Sequence, residues 1–83
     1  MITTVAQLDA AIRTVAASVP DGRLHVGHFD DRGNPELVFT HHLGPYGVVD
    51  WFDREDPASP FWLMSSHQLD MLIGNRMVAL DLA

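Results

Sequence analysis

The chain has no cysteine and no lysine. Without thiols, no disulfide staples the fold, and thiolate metal sites and cysteine nucleophiles are excluded. Without lysine, the fixed positive side-chain charge rests on five arginines, set against eleven acids, and the formal net charge is −6 with the histidines neutral. Five scattered arginines make no dense patch able to displace counterions from phosphates, which argues against direct binding to DNA or RNA. The same acidity disfavours an anionic membrane surface. Apolar runs stop at four or five residues, far short of the roughly 20 that a membrane-spanning helix needs. The opening Met1-Ile2-Thr3-Thr4 lacks the basic segment of a secretion signal. A cytoplasmic location is therefore expected. What is present is 83 residues with 47% apolar content, which suits one globular domain spanning 1–83.

Cap and turn signals divide the chain. Thr4 followed by Gln7 fits a capping box, in which each side chain satisfies an orphan amide of the first helical turn. Val5, Leu8, Ile12, Val15 and Val19 recur at three- and four-residue steps, so a helix is expected over residues 4–18. Pro20-Asp21-Gly22 ends it, because proline cannot continue the ladder and glycine accepts positive φ. Strands are expected at 23–29 and 36–43, joined as an antiparallel hairpin by Asp30-Asp31-Arg32-Gly33-Asn34-Pro35. Gly44-Pro45 makes a second break, and a third strand is expected at 46–52. A polar loop follows at 53–59, and the apolar residues 60–64 suit a strand or a helical turn equally. Ser65 with Gln68 repeats the capping-box spacing, starting a short helix to Leu72 or Ile73 that Gly74-Asn75 should stop. Residues 76–82 alternate loosely and read as a final strand. The expected fold is α+β in the order α-β-β-β-α-β, a four-stranded antiparallel sheet with helices packed mainly on one face.

The pleat assigns the sheet faces. Pairing Asp30 with Pro35 and Leu43 with Tyr46 puts Leu24, Val26, Leu37, Phe39, Val48 and Phe52 on the expected core face. His25, Gly27, Val38, Thr40, His42, Val49 and Trp51 take the other. A one-residue slip in either register reverses part of this assignment.

The run Asp50-Trp51-Phe52-Asp53-Arg54-Glu55-Asp56 gathers four acids, one arginine and two aromatics. Its plain reading is a solvated loop after a strand. Its sharper reading is a partner-facing surface of Asp50, Trp51, Asp53, Glu55 and Asp56, since tryptophan is enriched at interface hot spots. Asp30, Asp31 and Glu36 add a second acidic tip at the hairpin, where aspartate also suits a turn for its own backbone hydrogen bonds. Histidine occurs five times, as His25, His28, His41, His42 and His67. In the pairing above, His28, His41 and Asp50 share one face on three neighbouring strands, the candidate set for a metal or acid–base site. No helical His-x-x-x-His occurs. Half-buried strand histidines with satisfied tips are the favoured reading, and no metal or cofactor is expected. Ser65, Ser66 and His67 adjoin in sequence, which rarely builds a serine–histidine pair, and no Gly-x-Ser-x-Gly elbow is present, so no catalytic residue is expected.

Three stretches carry a family resemblance. Val5-Ala6-Gln7-Leu8-Asp9-Ala10-Ala11-Ile12, Asp31-Arg32-Gly33-Asn34-Pro35-Glu36-Leu37 and Gly74-Asn75-Arg76 resemble, in that order, three parts of one family. These are the opening helix, the Asp-Gly-x-Pro-like hairpin and the late Gly-x-Arg-type turn of immunity proteins that neutralise deaminase-type polymorphic toxins of bacteria. The resemblance spans most of the chain and implies tight binding to a cognate enzyme, with acids and aromatics occluding its basic nucleic-acid site. Small, acidic, cysteine-free phage anti-defence inhibitors of the anti-CRISPR kind share the composition and would block a defence nuclease or effector similarly. The expected function is thus a non-enzymatic inhibitor of a basic, nucleic-acid-handling protein, acting as a monomer or homodimer. The alternatives are a small histidine-based metal-binding protein or metalloenzyme, and a self-assembling phage accessory protein joined through an open sheet face.

Overall fold

Two capping boxes fix where the helices begin. In α1 (Val5–Ser18), Thr4 Oγ1 accepts from the Gln7 amide at 3.1 Å, and Gln7 Oε1 accepts from the amides of Thr4 and Thr3 at 3.2 and 2.7 Å. Leu8, Ile12 and Val15 form its buried stripe. In α2 (Ser66–Ala79), Ser65 Oγ accepts from the Gln68 amide at 3.2 Å and Gln68 Oε1 from the Ser65 amide at 2.8 Å. Between the helices run β1 (Arg23–Phe29), β2 (Pro35–His41) and β3 (Gly44–Trp51), an antiparallel meander in the order β1-β2-β3. This computed structural model describes residues 1–41 and 44–83, with the backbone alone for residues 28, 29 and 44–46.

The class is α+β, but the order is α-β-β-β-α and the sheet has three strands, not four. Residues 76–79, expected to open a final strand, continue α2 instead. Gly74 and Asn75 lie inside the helix. A mid-helix glycine costs about 1 kcal/mol relative to alanine, and packing outweighs it: Leu69, Leu72, Ile73, Met77 and Leu80 recur at helical steps and all join the core. The stop comes later. The Leu82 amide donates to the Met77 carbonyl at 2.8 Å and the Asp81 amide to the Val78 carbonyl at 3.0 Å. Asp81 sits in the left-handed region at φ 60°. This is the Schellman pattern, with aspartate where glycine is usual.

The core joins Leu8 and Ile12 of α1, Leu69 and Ile73 of α2, and Val26, Leu37, Phe52, Phe61 and Ile2. Leu24 and Val49 pack against it. Of the expected core face, Leu24, Val26, Leu37 and Phe52 take their places, but Val48 is exposed and Val49 turns inward. The reason is a register irregularity: Leu37 pairs with Asp50 while Val38 pairs with Val48, so β3 carries one extra residue there and its inward set shifts by one. The expected pairing of Leu43 with Tyr46 lies outside the described residues, as does His42. At the first turn Asp30 bonds Asn34, not Pro35, its amide donating to the Asn34 carbonyl at 2.8 Å. Pro45, read as a break, belongs to β3, an edge strand where a missing amide is tolerated.

Two further ties hold the layers. Asp70 Oδ1 of α2 accepts from the Val26 amide on β1 at 2.6 Å, which occupies a backbone donor on the free edge of the sheet. Between the helices, Arg76 Nε and Nη2 donate to Asp9 Oδ1 and Oδ2 at 2.8 and 2.7 Å, a two-pronged pair. The hydrogen bond from Arg76 holds the Asp9 carboxyl below its ordinary value, outweighing desolvation, and the same bond raises Arg76. A folded pKa below the unfolded one means the contribution is fully present above the unfolded value of about 3.9 and lost as pH falls through the lower folded one. Arg76→Gln should therefore lower the urea midpoint at about pH 6, and its deficit against wild type should shrink as pH falls below about 3.9 and the Asp9 carboxyl takes up its proton. A deficit independent of pH would show that the pair contributes only packing. Arg76→Lys should restore part of the loss, because lysine cannot reproduce the planar fork.

Candidate protein-docking surface

An antiparallel meander of three strands brings its first turn and its last strand end together. The β1–β2 turn is therefore next to the exit of β3. Glu36 pairs with Trp51, and the Phe52 amide donates to the Pro35 carbonyl at 2.9 Å. The two acidic tips read from the sequence thus lie at one end of the sheet. Asp30, Asp31, Glu36, Asp50, Asp53, Glu55 and Asp56 all belong there, seven of the eleven acids, along with Arg32 and Arg54 of the five arginines.

These acids do not serve alike. Asp30 is turn chemistry: its Oδ1 accepts from the amides of Arg32 and Asn34 at 2.9 and 2.8 Å. Desolvation pushes its carboxyl up, and those amide hydrogen bonds overcome it, leaving the pKa lowered. Asn34 beneath it is buried, and its Oδ1 has no partner among the described residues. Asp31 is exposed at the tip. Asp50 turns away from Trp51 by the strand alternation. Its Oδ1 lies 3.0 Å from the α-amino group of Met1 and accepts from the Trp51 amide at 2.8 Å. Glu36 and Trp51 are cross-strand neighbours on the face opposite Leu37 and Phe52, and Trp51 is 39% exposed.

The loop after β3 is built around its own carboxylates. Asp53 Oδ1 accepts from the Asp56 amide at 3.3 Å, Asp56 Oδ1 from the Ala58 amide at 2.9 Å, and the Asp53 carbonyl from the Ser59 hydroxyl. Glu55 is exposed. The Asp53 amide donates to the Ile2 carbonyl at 2.9 Å and the Ile2 amide to the Trp51 carbonyl at 2.6 Å, so the first residues run parallel to the end of β3 and steady it.

Residues 60–64, left open between strand and helical turn, are turns that pin this loop down. Phe61 is fully buried, its ring edge-on to Phe52 with centroids 5.0 Å apart. The next two residues point the other way. Trp62 is exposed, and Leu63 is 64% exposed with φ 54°, a left-handed conformation that β-carbon sterics disfavour. The Leu63 amide donates to the Arg54 carbonyl at 3.3 Å, and Arg54 Nη1 donates to the Met64 carbonyl at 3.2 Å. An ordered apolar knuckle is thereby held against the acidic loop. Trp62 lies just past the acidic run in the sequence. Leu63 had no signal, since nothing about a leucine marks a left-handed position.

The histidine set does not converge. Asp50 pairs with Leu37, and His41 lies four residues further along β2, about 13 Å away at the rise of an extended strand. That is too far for one ion to bind both side chains. The side chain of His28 lies outside the described residues. Among the described residues, no three histidine, aspartate or glutamate side chains are placed to hold a metal. At the opposite end of the sheet an open pocket of about 300 Å³ is lined by Asp21, Arg23, Thr40 and His41. Among the described residues, no helix is long and apolar enough to cross a membrane. No protein-family model, curated protein or solved structure matches the chain.

Proposed function

We propose that this protein is a non-catalytic binder of a basic, nucleic-acid-handling protein. It would occlude that partner's functional surface as an immunity protein or a phage anti-defence inhibitor does. The supporting observation is convergence: the two acidic tips, the exposed Trp51 beside Glu36, and the Trp62–Leu63 knuckle share one end of the sheet. Carboxylates at the rim steer a cationic partner and pair with its arginines or lysines, chiefly setting the association rate. Indole and leucine side chains bury apolar area at the centre, chiefly setting the dissociation rate. Carboxylates offered where phosphates would bind are the natural competitor for a nucleic-acid groove.

The test is capture of the partner from the lysate of a native host, followed by association kinetics with the purified pair. Neutralising Asp53, Glu55 and Asp56 together (D53N, E55Q, D56N) should slow association about tenfold or more at low salt, with the difference closing as salt rises. Trp51→Ala should instead speed dissociation. An unchanged association rate in the triple variant would count against this surface.

A further inference from the structure

We infer that the outward face of α2 is a self-association surface on which a second copy of this chain packs, α2 against α2 and antiparallel. The inference stands on observations separate from those at the acidic sheet end. α2 is apolar on two sides. Leu69 and Ile73 face the core, yet Met71 and Val78 stand outward at 55% and 69% exposure. Surface helices ordinarily carry charge on the solvent side. Here Asp70 is the one charged residue among the exposed positions of α2, and its carboxylate already accepts from the Val26 amide. In a chain of net charge −6, a helix whose exposed positions carry a single acid is a place where two copies meet with little repulsion.

Gly74 supplies the second argument. It lies at the middle of the exposed stripe, and a β-carbon built on it would meet nothing within 4 Å. The fold of one chain therefore gives no reason for glycine at a position where it weakens the helix. Close approach of another backbone does give one. The third argument is symmetry. Met71 and Val78 lie at equal steps on either side of Gly74–Asn75. About a two-fold axis at that midpoint, Met71 meets the Val78 of the second copy and Val78 its Met71, while the glycines sit at the crossing. That is the self-complementarity an isologous contact demands. One helix face is a small interface, so the association is weak.

Sedimentation equilibrium of the full chain, carried up to about 1 mM protein to reach weak association, tests this. The weight-average mass should climb from 9.2 kDa towards twice that value as concentration rises. Val78→Glu and Gly74→Leu should each hold it at the single-chain mass. Val78 is largely exposed and a β-carbon at Gly74 meets nothing within 4 Å, so neither change touches the core, and Gly74→Leu should also raise the melting temperature, which separates lost association from lost folding. A wild-type protein that stays at 9.2 kDa over the whole range overturns the inference. So does association that survives both substitutions, or that Trp51→Ala abolishes in their place. Only the last of these results bears on the acidic sheet end, since it would move the contact there.

Discussion

Phe61→Ala should remove about half of the stability of this protein. The ring is fully buried and meets Phe52 edge-on at 5.0 Å. Truncating a buried phenylalanine costs about 3–5 kcal/mol, and a chain of this length holds only about 4–12 kcal/mol in total. The melting temperature should fall by about 15 °C or more, since each kcal/mol shifts a domain of this size by several degrees. Phe61→Leu keeps most of the volume and should cost much less. Phe61 also matters for position. It is the buried foot of residues 53–64, the segment that displays Asp53, Glu55, Asp56, Trp62 and Leu63. The Met64 amide donates to its carbonyl at 3.1 Å, and its own amide is held by the Ser59 hydroxyl oxygen at the same distance. Loss of the ring should therefore speed amide exchange in this segment before it does so in α1. A variant that melts like wild type would mean that the loop is anchored elsewhere.

The parts of this fold that depend on local chemistry were legible in the amino-acid order. Both capping boxes form as read, because Thr4 with Gln7 and Ser65 with Gln68 need only one turn of backbone to satisfy each other. The strand at 23–29 keeps its bounds. The parts that depend on distant residues were not legible. Nothing near Val49 announces an extra residue in β3; the shift arises from matching Leu37 and Val38 against that strand. Gly74-Asn75 looks like a helix end because glycine and asparagine tolerate left-handed backbone, but core contacts of Ile73, Met77 and Leu80 carry the helix through it. For the docking end, the acids and Trp51 were legible as one candidate surface, because two turns in succession make a meander that joins the first turn to the third strand's exit. Which acids turn towards solvent and which serve their own loops, as Asp30 does, needed the hydrogen bonds themselves.

Asp81→Gly should make the protein more stable, by about 1–2 kcal/mol. The left-handed backbone at Asp81, φ 60°, costs a residue with a β-carbon about 1–2 kcal/mol that glycine avoids. A carboxylate just past the C-terminus of α2 also opposes the helix dipole, and removing it returns about 0.3–1 kcal/mol. Glycine gives back about 0.5–1 kcal/mol through the greater freedom of the unfolded chain. The net should raise the melting temperature by roughly 5–10 °C. The sign discriminates between the two descriptions of this segment: glycine in a strand would weaken it, so a destabilised variant would contradict the helix stop at residue 81. Leu63→Gly relieves the same kind of backbone at φ 54° and, with a largely exposed side chain, sacrifices little burial. It should stabilise as well, yet it removes half of the apolar knuckle beside the acidic loop. Asp81→Gly should therefore leave partner binding unchanged, while Leu63→Gly trades tighter folding for faster dissociation. Strain retained at an exposed leucine is what a docking residue would show, and equal binding by the two variants would assign that strain to the loop alone.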